Sequence, residues 1–187
     1  MQTRYVKVTV RITGGLLKGR KVSVPPGIIR PSMDRMRESV FACLGDISGL
    51  SFLDIFTGSG IIALEAASRG ASPVEAVEQD KQKMKTLLEN VSISPVRINC
   101  HFMPAELFIK RAKNSFNIIF LDPPFPYKYK WELVEKTASC QLSLNGTKIL
   151  IHRPREDYLK KPISYIEKYD VREYGRSVVD FFTVNKQ

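Results

Sequence analysis

From residue 51 onward, short apolar runs alternate with stretches that have helical periodicity. The apolar runs lie at 51–56, 74–78, 96–100, 116–121 and 148–152, and the helical patterns at 59–69, 80–91, 105–113 and 131–139. An apolar run of five or six residues fits a strand that is buried on both faces, and strands that alternate with helices are joined by crossovers. The pattern therefore predicts an α/β domain with a mostly parallel sheet and helices on both of its faces.

The two ends of the chain have strand patterns without helices between them. Runs at 163–169 and 176–184 are joined by a polar turn and should close the sheet as an antiparallel hairpin. Before the main domain, apolar residues occupy every second position from Val6 to Ile12, and glycines then mark a turn. We therefore divide the chain into a basic β-hairpin extension, 1–31, and a main domain, 32–187, whose first helix is capped by Ser32 or Asp34.

The basic residues are concentrated near the N-terminus. The whole chain has a net charge of +10, and the segment from Met1 to Arg37 has nine basic residues against Asp34 alone. Such a field attracts polyanions through counterion release, so nucleic acid is the leading partner class and an anionic membrane surface the weaker one. A charge excess that serves only solubility is the alternative. The candidate nucleic-acid contacts are Arg11, Lys18, Arg20, Lys21, Arg30, Arg35 and Arg37.

Neither the cysteines nor the histidines have the spacing of a metal site. Cys43, Cys100 and Cys140 are widely separated, which suits neither a disulfide framework nor zinc. His101 and His152 have no second ligand at a suitable spacing, so both are interpreted as structural and no metal is expected. The sequence has no run of about 18 apolar residues. We expect a cytoplasmic protein, monomeric and without a membrane partner.

The first candidate site is the segment Asp54-Ile-Phe-Thr-Gly-Ser-Gly60, where a predicted strand ends and a helix begins. Gly58 and Gly60 allow a tight turn and a close approach to a ligand, and the helix N-terminus offers unpaired N–H groups. Glu78 ends the next strand, at the separation expected for a carboxylate that binds ribose hydroxyls. The third glycine of a dinucleotide fingerprint and the Gly-Lys-Ser/Thr of a triphosphate site are both missing. A nucleoside without phosphates therefore fits better than NAD or ATP.

The second candidate site is Asp122-Pro123-Pro124-Phe125, directly after an apolar run. A carboxylate at the end of a strand is typical of a site residue, and two prolines fix the backbone so that carbonyl oxygens point outward. Phe125 offers a flat surface on which a base can stack. The alternative is a rigid turn with a solvated aspartate. The following segment, 127–131, interleaves aromatic and basic residues and is either a base-stacking loop or a solvated one.

These motifs resemble those of known enzymes. The segment Asp54 to Gly60 is similar to the cofactor-binding motif of the Rossmann-like S-adenosylmethionine-dependent methyltransferases, and Asp122 to Phe125 matches the Asp/Asn-Pro-Pro-Phe/Tyr motif of the amino-methyltransferases. The run Arg30 to Glu38, together with Arg11 to Gly15 and Gly19-Arg20, resembles the RsmD family of 16S rRNA guanine-N2 methyltransferases. This resemblance extends over nearly the whole chain.

Three features depart from the family's pattern. Pro104 stands where a polar residue near the adenine is usual, so the backbone of Ala105 or the side chain of Glu106 would contact the base edge. His152 stands where the family usually has glutamate, and the C-terminal segment, 153–187, matches only loosely.

The resemblance implies a seven-stranded mixed sheet, an N-terminal hairpin for RNA contact, and S-adenosylmethionine as cofactor. Glycines and Ser59 would wrap the amino-acid portion of the cofactor, Glu78 would bind its ribose, and Asp122 to Phe125 would hold the target base. The implied cofactor-binding residues are Asp54, Phe56, Thr57, Gly58, Ser59, Gly60, Glu78, Gln79, Ala105, Glu106 and Asp122. The implied catalytic residues are Asp122, Pro123, Pro124 and Phe125, and the partner is ribosomal RNA or the small ribosomal subunit.

Two other functions use some of the same features. An adenine-N6 methyltransferase acting on RNA or DNA would have the same Asp-Pro-Pro-Phe chemistry, but such enzymes normally need additional sequence for target recognition. A non-catalytic RNA-binding protein on a methyltransferase fold would tolerate the loss of either motif. Both motifs are intact, which argues against that second alternative.

Overall fold

The computed structural model describes residues 8–25 and 34–186. A two-stranded hairpin, β1 (Thr9–Arg11) and β2 (Lys21–Ser23), precedes helix α1 (Asp34–Leu44). The main-sheet strands are β3 (Phe52–Ile55), β4 (Val74–Val77), β5 (Ile98–His101), β6 (Ile118–Leu121), β7 (Lys148–Pro154), β8 (Ile166–Tyr174) and β9 (Ser177–Val184). The remaining helices are α2 (Ile61–Ser68), α3 (Met84–Val91), α4 (Ala105–Arg111) and α5 (Lys130–Ser139).

The main sheet has the strand order β5-β4-β3-β6-β7-β9-β8. Strands β3 to β7 pair in parallel, and β9 pairs antiparallel with both β7 and β8. The chain moves outward from β3 through β4 to β5 and then returns to place β6 on the other side of β3. The carboxyl ends of β3 and β6 therefore flank a topological switch point, where open α/β sheets bind ligands. The predicted seven-stranded, mostly parallel sheet is confirmed.

The two faces of the sheet carry separate buried clusters because neighbouring residues of a strand point to opposite sides. On one face Phe52 and Phe120 pack with α1 and α2, and on the other Leu53 and Leu121 pack with α4 and α5. All four residues of β3 and of β6 are buried. The apolar runs at 51–56, 74–78 and 116–121 thus correspond to strands that are buried on both faces, as predicted, whereas in the edge strand β5 only Ile98 is buried.

The N-terminal hairpin packs on the main domain through its apolar side. Ile12 is 0% exposed and Val22 is 5% exposed, and both belong to the cluster that contains α1 and α2. The backbone N–H of Thr13 donates to the carboxylate of Glu65 at 2.8 Å, and that of Leu16 donates to the carbonyl of Ser68 at 2.7 Å. The turn of the hairpin is therefore fixed against α2.

The structure does not support Arg37 as an RNA contact. Its side chain is 0% exposed, and its Nε donates to Glu65 Oε1 at 3.0 Å. Its Nη2 donates to Asp34 Oδ1 at 2.6 Å and to the carbonyl of Arg11 at 2.7 Å. A buried guanidinium that is engaged with carboxylates does not reach phosphates in solvent, so Arg37 joins the hairpin to the main domain instead.

The largest shift of an element boundary is at the C-terminal hairpin. The first strand was expected at 163–169, but β8 begins at Ile166 and continues to Tyr174. Tyr165 has φ 68, a left-handed conformation that interrupts an extended strand just before β8. Among the described residues, no helix is long and apolar enough to cross a membrane.

Candidate active site

A cavity of about 1000 Å³ opens at the carboxyl ends of the central strands. Its walls include the turn after β3, Glu78 and Gln79 after β4, the loop that follows β6, and His152 on β7. Both segments that the sequence singled out therefore line one cavity, which is large enough for a nucleoside cofactor and a base together.

The turn after β3 depends on residues with unusual backbone conformations. Gly58 and Gly60 have φ 57 and 80, and Phe56, which is not a glycine, has φ 67. A Cβ added to Gly60 would lie 2.7 Å from Leu87 Cδ1, on α3. Gly60 is therefore required twice, for its left-handed conformation and for the close packing of the turn on α3.

Asp54 lies fully buried at the base of this turn. Its Oδ2 accepts a hydrogen bond from Thr57 Oγ1 and another, at 3.1 Å, from the backbone N–H of Ala63. Its Oδ1 is buried and has no hydrogen-bond partner within the described residues. Burial raises the pKa of Asp54 to about 7, the bond from Thr57 opposes this rise, and the negative charges of Asp122 and Glu78 add to it.

Glu78 connects the end of β4 to the same turn. Its Oε2 accepts the backbone N–H of Gly58 at 2.9 Å, and its Oε1 accepts that of Asp80 at 2.9 Å. Lys83 Nζ lies 3.5 Å from Oε2. Each carboxylate oxygen can accept a further hydrogen bond, so Glu78 can hold the turn and bind a ribose hydroxyl at the same time.

Asp122 is held by the sheet on one side and by His152 on the other. Its backbone N–H donates to the carbonyl of Ile55 at 3.0 Å, and its Oδ1 lies 2.8 Å from His152 Nδ1. The ring of Phe125 meets the His152 ring edge-on, with centroids 5.3 Å apart. His152 therefore contacts both Asp122 and Phe125, and all three side chains line the cavity.

Lys130 fixes the loop that carries the two prolines. Its side chain is 2% exposed, and its Nζ donates to the carbonyl of Phe125 at 2.8 Å and to that of Tyr127. Asp157 lies 2.6 Å from the same Nζ and neutralises its charge. The segment 127–131 is therefore partly exposed and partly anchored, because Tyr129 is 63% exposed whereas Lys130 is buried.

Most of the predicted cofactor-binding and catalytic residues lie on the cavity wall. They are Asp54, Phe56, Thr57, Gly58, Ser59, Glu78, Gln79, Asp122, Pro123, Pro124 and Phe125. Gly60 lies behind the turn, at the start of α2, and Ala105 and Glu106 are not among the lining residues. The hydroxyl of Tyr127, which does line the cavity, donates to Glu106.

Sequence reasoning missed His152 and Lys130 as site residues. The signal for His152 was its place at the end of a strand that neighbours β6: Leu121 pairs with Ile151, so Asp122 and His152 are adjacent in register. Lys130 had no comparable signal, because a lysine in a polar segment gives no indication that it turns inward onto carbonyl oxygens.

The predicted RNA contacts lie mainly on the exposed side of the hairpin. Lys18, Arg20 and Lys21 are exposed, as is Arg35 on α1. The side chain of Arg11 is 58% exposed, and its Nε forms an ion pair with Asp34 at 2.6 Å. Arg30 lies outside the described residues. In residues 8–25 and 34–186, no cluster of three or more His, Cys, Asp or Glu side chains is arranged to hold a metal ion.

Comparison with known proteins gives this site its context. The model of the family described as conserved hypothetical protein 95 matches residues 10–183. The ribosomal RNA small subunit methyltransferase D of Haemophilus influenzae is 36% identical over 159 residues, which cover 79% of this chain and 78% of that protein. The chain belongs to the ribosomal RNA small subunit methyltransferase D family. The resemblance noted in the sequence is therefore confirmed.

Another relative and two solved structures match this chain over different lengths. The Escherichia coli K12 protein of that name is 37% identical over 123 residues, which is 62% of this chain and 60% of that protein. An E. coli structure described as "Putative methyltransferase yhhF" superposes with a TM-score of 0.87 at 26% identity, covering 96% of this chain and 100% of that one. A hypothetical protein of Thermus thermophilus gives a TM-score of 0.80 at 31% identity, over 95% and 99% of the two chains.

Proposed function

We propose that this chain transfers a methyl group from S-adenosylmethionine to the exocyclic N2 amine of a guanine in 16S rRNA. The observation that carries the proposal is the single cavity that joins the acidic turn after β3 to the Asp-Pro-Pro-Phe loop. Relatives from H. influenzae and E. coli are named small-subunit rRNA methyltransferases, which supports the substrate class. The choice of guanine N2 rests on the RsmD resemblance. Such a substrate assigns the protein to the cytoplasm.

The electrostatics of the cavity fit a cationic ligand without phosphates. Asp54, Glu78 and Asp122 all face it, and the pKa of Asp54 is raised in part by the other two. A positive charge placed among three carboxylates is stabilised, whereas a phosphate would be repelled. S-adenosylmethionine carries a sulfonium and an ammonium group and no phosphate. The unpartnered Oδ1 of Asp54 is an acceptor available to such a cation, directly or through water.

The loop after β6 has the groups that an amine acceptor requires. The bound cofactor supplies an electrophilic methyl group. The N2 lone pair of guanine is delocalised into the ring, so the nitrogen must be partly pyramidalised before it can attack. Asp122 and the carbonyl of Pro123 can each accept an N–H hydrogen bond and turn the lone pair toward the methyl. The new nitrogen–carbon bond would replace the sulfur–methyl bond, S-adenosylhomocysteine would leave, and Asp122 or water can accept the N–H proton that the amine loses. The rigid loop holds both acceptors in place, which contributes through proximity and orientation.

The base must be unpaired to enter the cavity. An exocyclic amine inside a duplex is not accessible, so the nucleotide should be flipped out or already single-stranded, with its base on Phe125. Tyr129 and Lys128 are exposed beside the cavity and can contact the flanking nucleotides. We further propose that the exposed lysines and arginine of the hairpin neutralise phosphates.

The decisive experiment is to map methylated nucleosides by mass spectrometry in ribosomal RNA from cells with and without this protein. Loss of one N2-methylguanosine is expected, and loss of an N6-methyladenosine would instead support the adenine alternative. An unchanged set of modified nucleosides would contradict the proposal.

Asp122→Ala tests the mechanism in the purified enzyme. It should abolish transfer while S-adenosylhomocysteine binding, measured by calorimetry, changes little, because the proposed contact of Asp122 is with the amine. Asp46→Ala is the control, since Asp46 is exposed on the loop after α1 and does not line the cavity. Near-normal turnover by Asp122→Ala would overturn the mechanism.

A further inference from the structure

The side chain of His152 is placed to act on Asp122. We propose, on the basis of the function argued above, that His152 is a positioning residue: its Nδ1–H holds Oδ1 of Asp122 so that Oδ2 is presented to the substrate amine. His152 was interpreted from the sequence as structural, and it stands where the RsmD pattern usually has glutamate.

Parallel pairing of β6 and β7 brings the two residues together. Leu121 pairs with Ile151, so the next residue on each strand lies at the same level. Phe120 and Leu150 belong to one buried cluster, and Leu121 and Ile151 belong to the other. Alternation along the strands therefore directs Asp122 and His152 to the same face, and the two side chains meet at 2.8 Å.

The surroundings of the two ring nitrogens of His152 indicate which of them carries the hydrogen. An ionised carboxylate only accepts hydrogen bonds, so the hydrogen in the contact with Asp122 Oδ1 belongs to His152 Nδ1. The other ring nitrogen, Nε2, is buried and has no hydrogen-bond partner within residues 8–25 and 34–186. A second N–H at that position would be left buried without an acceptor, which is more costly than an unused lone pair on a neutral ring. The geometry therefore favours a neutral imidazole with its hydrogen on Nδ1.

This contact restricts how the carboxylate can rotate. The side chain of His152 is 9% exposed and is supported by Phe125, whereas that of Asp122 is 27% exposed and opens onto the cavity. His152 is the hydrogen-bond partner found for the Asp122 side chain in the described part of the chain. Because His152 fixes Oδ1, the orientation of the carboxylate is set, and Oδ2, which has no hydrogen-bond partner in the described part of the chain, can accept an amine N–H. A neutral imidazole provides this hydrogen bond without placing a second negative charge beside Asp122. A glutamate at position 152 would add that charge.

Two substitutions separate positioning from packing. His152→Leu replaces the imidazole with an apolar side chain of similar volume and so removes the hydrogen-bond donor. His152→Asn retains an amide N–H close to the position of Nδ1. We expect kcat for methylation of small ribosomal subunits, prepared from cells lacking this protein, to fall about 10- to 100-fold in His152→Leu, since misplacing a reacting group by about 1 Å costs that much. The KM for S-adenosylmethionine should stay near the wild-type value, and His152→Asn should recover most of the rate.

His101→Leu is the matched control. The imidazole of His101 also contacts a carboxylate, Glu75 Oε2 at 2.7 Å, but neither residue lines the main cavity. Its loss should change the melting temperature without changing kcat. A His152→Leu enzyme with normal kcat would overturn the proposal, and so would equal losses of kcat in His152→Leu and His152→Asn.

A second measurement needs no substrate. The chain has two histidines, so ¹⁵N spectra of ring-labelled protein can be assigned with the His101→Leu variant. We expect hydrogen on Nδ1 and a bare Nε2 at neutral pH, and a change of tautomer in Asp122→Ala. Hydrogen on Nε2 of the wild-type ring would refute the inference. If the wild-type protein methylates no guanine, the proposed function fails, while the spectra still decide whether His152 holds Asp122.

Discussion

Asn90 connects the basic hairpin to the turn after β3, and its replacement tests how the hairpin and the turn are coupled. The side chain is on α3 and is 5% exposed. Its Oδ1 accepts the backbone N–H of Ser23 at 3.0 Å, and its Nδ2 donates to the carbonyl of Ser23 at 2.7 Å and to that of Ser59 at 2.8 Å. One amide thus binds β2 and the turn after β3 at the same time.

The substitution Asn90→Leu keeps the number of side-chain heavy atoms and their branching at Cγ, and it removes all of these hydrogen bonds. Each backbone group left without a partner costs about 1 to 3 kcal/mol when buried and less when water can reach it. Ser59 is buried, whereas Ser23 is partly exposed, so its two groups can regain some bonds to water. We expect the free energy of unfolding to fall by about 2 to 4 kcal/mol, which a domain of ordinary stability survives.

The assay is urea denaturation combined with calorimetry. Besides the loss of stability, S-adenosylhomocysteine should bind about 2- to 10-fold more weakly, because the Ser59 carbonyl loses the one bond that fixes it to α3. Asn114→Leu is the control, since Asn114 is exposed and should change stability by no more than about 0.5 kcal/mol. A loss below about 1 kcal/mol would refute the energetic reasoning. A destabilised variant with unchanged affinity for S-adenosylhomocysteine would refute the coupling to the turn.

The charges and the loop anchor lead to three further predictions. The pKa of Asp54 is raised from 3.8 to about 7, so the folded, cofactor-free protein holds a proton that the unfolded chain releases at lower pH. Stability should therefore fall as pH rises between these values, and Asp54→Asn should flatten that part of a urea-denaturation profile. Lys130→Met removes the donor to two loop carbonyls and should lower kcat about 10- to 100-fold with cofactor affinity retained; an unchanged kcat would contradict the anchoring role. Neutralising Lys18, Arg20 and Lys21 together should lower the slope of log RNA affinity against log salt by about 2, and an unaltered slope would exclude this hairpin as the phosphate-binding element.

The sequence predicted the sheet well because its signals are local and strong. Strands such as β3 and β6 are buried on both faces, so they appear as unbroken apolar runs bounded by polar segments. The two motifs were found for a related reason. Tight turns and strand ends require particular residue types, so Gly58 and Asp122 can be recognised from the sequence without knowing which residues they contact.

The parts that the sequence did not reveal depend on contacts between distant segments. Arg37 was counted among surface charges, but Glu65 is 28 residues away in sequence and takes it into the core. His152 is 30 residues from Asp122, and only the register of two parallel strands makes them partners. In both cases the sequence around the polar residue gives no sign of its role. The position of its side chain is set by an ion pair or hydrogen bond that forms only in the folded chain.

Distant contacts also fix the basic hairpin relative to the cavity. Helix α2 begins at the turn after β3, and its buried Glu65 binds both Arg37 and the backbone N–H of Thr13, which lies just after β1. Asn90 makes a second connection between the hairpin and Ser59. The exposed basic side of the hairpin is therefore fixed in orientation relative to the cavity. An RNA bound there, as proposed above, would approach the loop after β6 from a defined direction, so the contacts that give affinity would also determine which nucleotides reach Asp122.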